Sequence, residues 1–145
     1  MMGVSFAQLR SEVANNVGAL SGFTLAKMAP AYFGRQQNTV AHKSYVVGVD
    51  STTATTERQR RTVGVYAQTN VVVTFAHRLR PLDVYPTDYD NALDVEQTVI
   101  NAVLGTYATN NAFTIRYNGS TRSVVDSQEY IIMVLQFVAL HTLTP

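Results

Sequence analysis

The stretch Thr62–Arg80, TVGVYAQTNVVVTFAHRLR, constrains the fold more than any other in the chain. Its odd positions run Val63, Val65, Ala67, Thr69, Val71, Val73, Phe75, His77 and Leu79, while its even positions are mostly polar. Successive side chains of a β-strand point to opposite faces, so a period of two describes a strand half buried against a core. At ~3.3 Å per residue a straight strand of this length spans roughly 60 Å. A compact domain of this size has a radius of gyration near ~15 Å. The stretch is either one long strand or two strands reversing at Gln68-Thr69-Asn70. The parity of the apolar positions survives those three residues, which favours one strand. Such a strand outruns its own domain and projects from it, and its exposed backbone groups call for a partner, which another subunit can supply.

His42–Asp50 alternates in the same way, Lys43, Tyr45, Val47 and Val49 against Ser44, Val46, Gly48 and Asp50. Between the two strands lies Ser51–Arg61, STTATTERQRR, polar throughout and without apolar period. It reads as the mobile, projecting tip of a long hairpin and as an assembly contact. The residues assigned to that contact are Thr56, Glu57, Arg58, Gln59, Arg60 and Arg61, with Arg78 and Arg80 from the long strand.

Two helices frame this hairpin. Ser5–Val17 carries Phe6, Leu9, Val13 and Val17 at helical spacing, with Ser5 as N-cap and Gly18 as stop. Thr87–Leu104 is the stronger helix: Ala92, Val95, Val99, Ala102 and Val103 form one stripe, with Leu93, Ile100 and Leu104 beside it. Asp88, Asp90, Asp94 and Glu96 crowd its start, where the helix dipole favours anions, and Gly105 ends it. Val71, Val73 and Phe75 are expected to face the stripe of Val95, Val99 and Val103. Gly22–Val40 fits a short strand or a helical turn around Phe23, Leu25 and Met28, broken by Pro30 and Gly34.

Towards the end, Phe113–Tyr117 reads as a short strand and Asn118-Gly119 as a tight turn. Glu129–Thr142 is apolar on both parities, as in a strand covered on both faces; its β-branched content favours strand over helix. The order α-β-β-α-β-β gives an α+β fold: one mixed or antiparallel sheet with a long hairpin, flanked by two helices, in a single domain over residues 1–145.

Charged residues make up only 14% of the chain, against roughly 25% in an average domain. A chain with so few charges either buries surface against partners or shows water a surface of Thr, Asn, Ser and Gln. The net charge of +1 gives no global field to select nucleic acid or membrane. There is no cysteine, hence no disulfide, thiolate metal site or thiol nucleophile. No apolar run approaches the ~20 residues of a membrane span, and the first residues lack a signal pattern. These features point to a cytoplasm-like compartment of synthesis.

No catalytic constellation emerges. Asp83, Asp88, Asp90 and Asp94 do not match a calcium loop, because its later ligand and glycine positions fall on Ala92 and Leu93 of the helix's apolar side. His42, His77 and His141 are scattered singly at strand positions; two could meet across a sheet, but no carboxylate is spaced to complete a site with them. There is no nucleophile elbow, phosphate loop or H-E-x-x-H, so neither enzyme nor cofactor is expected. Arg58, Arg60, Arg61, Arg78 and Arg80 are the basic clusters, and Tyr45 and Tyr66 fall nearby. Glu57 and Asp50 dilute the patch, which favours a solvated or protein-contacting loop over a phosphate-binding one.

An amino-terminal helix, the strand HKSYVVGVD, a loop, and a long strand ending in TFAHRLRPLDV come in order. The acidic-opening helix DYDNALDVEQTVINAVL and a closing strand, SQEYIIMVLQFVALHTL, follow. This order resembles the tail terminator proteins of long-tailed bacteriophages, and more broadly the small completion proteins of the head–tail joint. The resemblance covers most of the chain except residues 18–41 and lies in the order and pattern of elements. It implies a homo-oligomeric ring, sixfold, at the head-proximal end of the tail tube. Such a ring halts tube polymerisation, offers a face to the connector or stopper of the head, and lets DNA pass through its lumen. The alternatives are another neck component, or a nucleic-acid-binding module using the Arg58–Arg61 loop.

Overall fold

The computed structural model describes residues 3–27, 30, 33, 41–54, 66–79, 87–106, 113–124 and 129–142. Helix α1, Phe6–Gly18, begins at Ser5. The Ser5 hydroxyl accepts from the Gln8 N–H at 3.1 Å, and Gln8 Oε1 accepts from the Ser5 N–H at 3.0 Å. Two otherwise unpaired donors are thus satisfied reciprocally. Leu9, Val13, Ala14 and Val17 are buried, whereas Phe6, expected on the same stripe, is 40% exposed. Helix α2 is Thr87–Leu104, and Ala92, Glu96, Val99 and Val103 lie inward at helical spacing.

Five strands form one sheet: β1 Thr24–Leu25, β2 Ser44–Ala54, β3 Tyr66–Arg78, β4 Phe113–Val124 and β5 Tyr130–Thr142, in the order β1-β2-β3-β5-β4. Every pairing is antiparallel except β1 with β2. The architecture is α+β, as expected, with the short β1 added in the ambiguous segment after α1.

Both helices cover the same face. Val71, Val73 and Phe75 of β3 and Met133, Leu135 and Phe137 of β5 share one core with Val13, Val17, Val99 and Val103; Val95 packs partly buried against it. The face assigned to the long strand is the observed one. The Tyr45 hydroxyl donates to the Ala14 carbonyl at 2.8 Å, fastening β2 to α1. Gly18 allows this approach, since a Cβ there would stand 2.6 Å from the Tyr45 oxygen. Asn16 Nδ2 donates to Thr106 Oγ1 at 3.1 Å and joins the two helices. The opposite face carries a smaller buried cluster of Phe33, Val46, Ala76 and Ile132, with Ala26, Tyr130 and Val134 packed against it, and polar residues such as Gln68, Asn70, Thr74 and Gln136 beside Val72, Val138 and Leu140.

Four expectations need correction. Strand β3 does run unbroken through Gln68-Thr69-Asn70, but it does not project with bare edges. β5 pairs it from Tyr66 to Arg78 and β2 from Ala67 to Phe75. Its excess length is matched by an equally long β5. Ser51–Ala54 belong to β2, paired with Ala67–Asn70, so the expected loop begins later; residues 55–65 lie outside the described residues. Asn118-Gly119 is not a turn. β4 continues through it, with a register shift between Tyr117 and Gly119 and φ 137° at Gly119. The extra residue forms a bulge, which a glycine at positive φ permits. Finally, Glu96 does more than sit near a helix start, because it is buried and paired.

Candidate assembly interface

Of the residues assigned to assembly, Thr56, Glu57, Arg58, Gln59, Arg60, Arg61 and Arg80 lie outside the described residues. Arg78 closes β3 with its side chain exposed. Its peptide is held by two imidazoles. The Arg78 N–H donates to His42 Nδ1 at 3.0 Å, and His77 Nδ1 donates to the Arg78 carbonyl at 2.9 Å. These bonds fix both tautomers, with the proton on Nδ1 of His77 and on Nε2 of neutral His42. The rings meet edge to face at 4.5 Å between centroids.

His42 and His77 are thus the two histidines that meet, and carboxylates do stand near them. With Lys43 and Arg78 they line one wall of a cleft of about 540 Å³, and Asp88, Asn91 and Asp94 line the other. Sequence spacing hid the acidic wall, because the partners come from the turn before β2, from the end of β3 and from α2. Burial, chiefly, lowers the pKa of both imidazoles. Each ring also feels Lys43, and His42 feels His77 and Arg78 as well; the hydrogen bond to the Arg78 carbonyl pulls His77 the other way, and Asp88 does so for both. Both rings are thus held neutral. Among the described residues no three His, Cys, Asp or Glu side chains are placed to hold a metal ion.

A second polar group ties α2 to β4. Glu96 is 4% exposed. It accepts from Arg122 Nε at 2.6 Å, from Arg122 Nη2 at 2.8 Å and from the Ser120 hydroxyl at 2.9 Å. This fork-on-fork geometry orients the carboxylate and satisfies both oxygens.

The sheet edges that no described strand covers are the surface best suited to assembly. β1 covers β2 only at Ser44 and Tyr45. There the Lys43 and Tyr45 carbonyls accept from Thr24 and Ala26. Backbone groups alternate in direction along an antiparallel strand. Val47 and Val49 therefore also turn their N–H and C=O outwards, as do Thr52 and Ala54 beyond the register shift at Val49/Ser51. No described strand takes those groups. The same alternation, carried across β3 and β5, turns Ile115, Tyr117, Ser120 and Arg122 outwards on β4, the opposite edge.

A cleft of about 750 Å³ runs along the β2 edge, lined by Val46–Asp50 with Leu25, Pro30 and Arg10. Five large apolar side chains are exposed among the described residues, and three of them sit at these edges: Leu25, Tyr117 and Val124. The sequence did not reveal this, since the order in which strands pair decides which of them ends at an edge.

Comparison with known protein families and with curated proteins finds no match. Among the described residues no helix is long and apolar enough to cross a membrane.

Proposed function

We propose that this chain is a structural subunit of a phage tail, forming a ring at the head-proximal end of the tail tube. The ring stops tube growth and docks the tail to the connector or stopper of the head. The observation that carries the ring is a sheet with a partly apolar edge on each side that no described strand covers, in a chain with only 14% charged residues. Edges of that kind are pairing sites unless something covers them. The place in the tail rests on the resemblance in element order to the tail terminators.

The test is capping of growing tubes. Purified chain, added in small amounts to polymerising tail-tube protein, should halt elongation and leave extra density at one end of each tube by electron microscopy. Tubes that elongate unchecked, with bare ends, would exclude the terminator role.

A further inference from the structure

We propose that copies of this chain join edge to edge, the outer edge of β4 in one copy adding as an antiparallel strand to the outer edge of β2 in the next. This rests on the ring proposed above for its closure and on the sheet for its geometry.

Strand direction comes first. β3 runs against β2, β5 against β3 and β4 against β5, so β4 runs against β2. A rotation axis lying along the strands keeps every strand's direction from copy to copy. The junction between neighbours is then antiparallel, the slightly more stable pairing. It joins two different patches, so each copy keeps one edge free for the next, and the series closes where the rotation closes.

Height and phase agree as well. Val49 pairs with Val71, Val71 with Phe137, and Phe137 with Tyr117, so Val49 and Tyr117 stand on one row. Both turn their backbone groups outwards and their side chains to the helix face, so pairing them keeps the pleat in phase. A bulge ordinarily bends an edge away from partners. Here the two edges carry their register shifts next to this row and on either side of it, Val49/Ser51 towards the Asn70–Val138 row and Tyr117/Gly119 towards the Val72–Gln136 row. Two edges that bend on either side of one shared row can follow one another.

Charge agrees too. Asp50 is exposed at the β2 shift and Arg116 is exposed beside the β4 shift, and neither has an ion-pair partner among the described residues. The junction sets these opposite charges side by side. It also brings Val124, at 50% exposure, towards Leu25, at 48%.

The experiment is sedimentation of the full chain and two edge variants from micromolar to millimolar concentration. Val49→Pro and Tyr117→Pro each remove an outward N–H and no ladder bond, the position at which edge strands tolerate proline. Wild type should exceed its monomer mass of 16.0 kDa as concentration rises. Each variant alone should stay monomeric, and an equimolar mixture should form a two-chain complex and nothing larger. Where a proline variant fails to fold, charge exchange gives the answer. Asp50→Arg and Arg116→Asp should each weaken association by about tenfold, and the double variant should restore it.

Wild type that is monomeric throughout overturns edge joining. So does association that survives both proline variants and both charge variants, which would place the contact elsewhere while leaving a ring possible. Loss in only one proline variant would mean an edge pairing with itself and also overturns the β2–β4 junction. Failure of tube capping, by contrast, would remove the terminator role and leave the junction standing.

Discussion

Phe75 has no exposed surface and packs against Phe23, with ring centroids 5.7 Å apart. Phe75→Ala should cost about 3–5 kcal/mol, the range for emptying a buried ring site, read as a fall in the denaturation midpoint. The Glu96–Arg122 pair should respond asymmetrically. The Arg122 side chain is 42% exposed and that of Glu96 5%, so only Arg122 can turn to water when its partner goes. Arg122→Ala strands a buried carboxylate and should cost about 2–3 kcal/mol, whereas Glu96→Gln should cost nearer ~1 kcal/mol. Equal losses in chemical denaturation would contradict that account.

The histidines set a pH dependence. Burial lowers the pKa of His42, His77 and His141 from the ordinary value of 6.5. In the window below that value the unfolded chain binds protons that the folded chain refuses. Stability is therefore full above it and is lost as pH falls through it. Protonation of His42 also removes the acceptor for the Arg78 N–H. The melting temperature should fall between pH 7.5 and pH 5.5, and the fall should shrink in the His42→Gln/His77→Gln double variant. A flat profile would contradict the neutral assignment.

At the scale of elements, β3 and α2 were legible because each carries a clean period, two in Val71, Val73 and Phe75 and near 3.6 in Ala92, Val99 and Val103. The extension of β2 through Ser51–Ala54 was not, because an edge strand past the core pairs its backbone while showing only Ser, Thr and Ala to water. Asn118-Gly119 misled because the same positive φ serves a hairpin turn and a bulge, and only the partner strand decides between them. β5 continues beside β4 past that point, so the chain bulges instead of reversing. A Cβ at Gly119 would meet nothing within 4 Å. Gly119→Ala should therefore act through backbone strain alone, costing about 1–3 kcal/mol; a neutral substitution by thermal unfolding would argue against φ 137° there.

At the scale of the whole molecule, the α+β class and the helix-covered face follow from local patterns, but the candidate interface does not. It arises from β5 inserting between β3 and β4, which moves β4 to one edge and leaves β2 at the other. That arrangement exists only once the strands have paired. The expectation of cover on both faces of β5 is met by the helices on one side but only in part on the other, where Phe33 packs in the cluster of Ile132 while Gln136 and Leu140 stay exposed. An account in which open edges build a ring that ends a tube makes tail length the decisive quantity. The measurement is the length distribution, by electron microscopy, of tails made by a phage from which this chain has been deleted. The account predicts tails of uncontrolled length that do not join heads, with wild-type length restored by supplying the chain. Tails of normal length attached to full heads would contradict it.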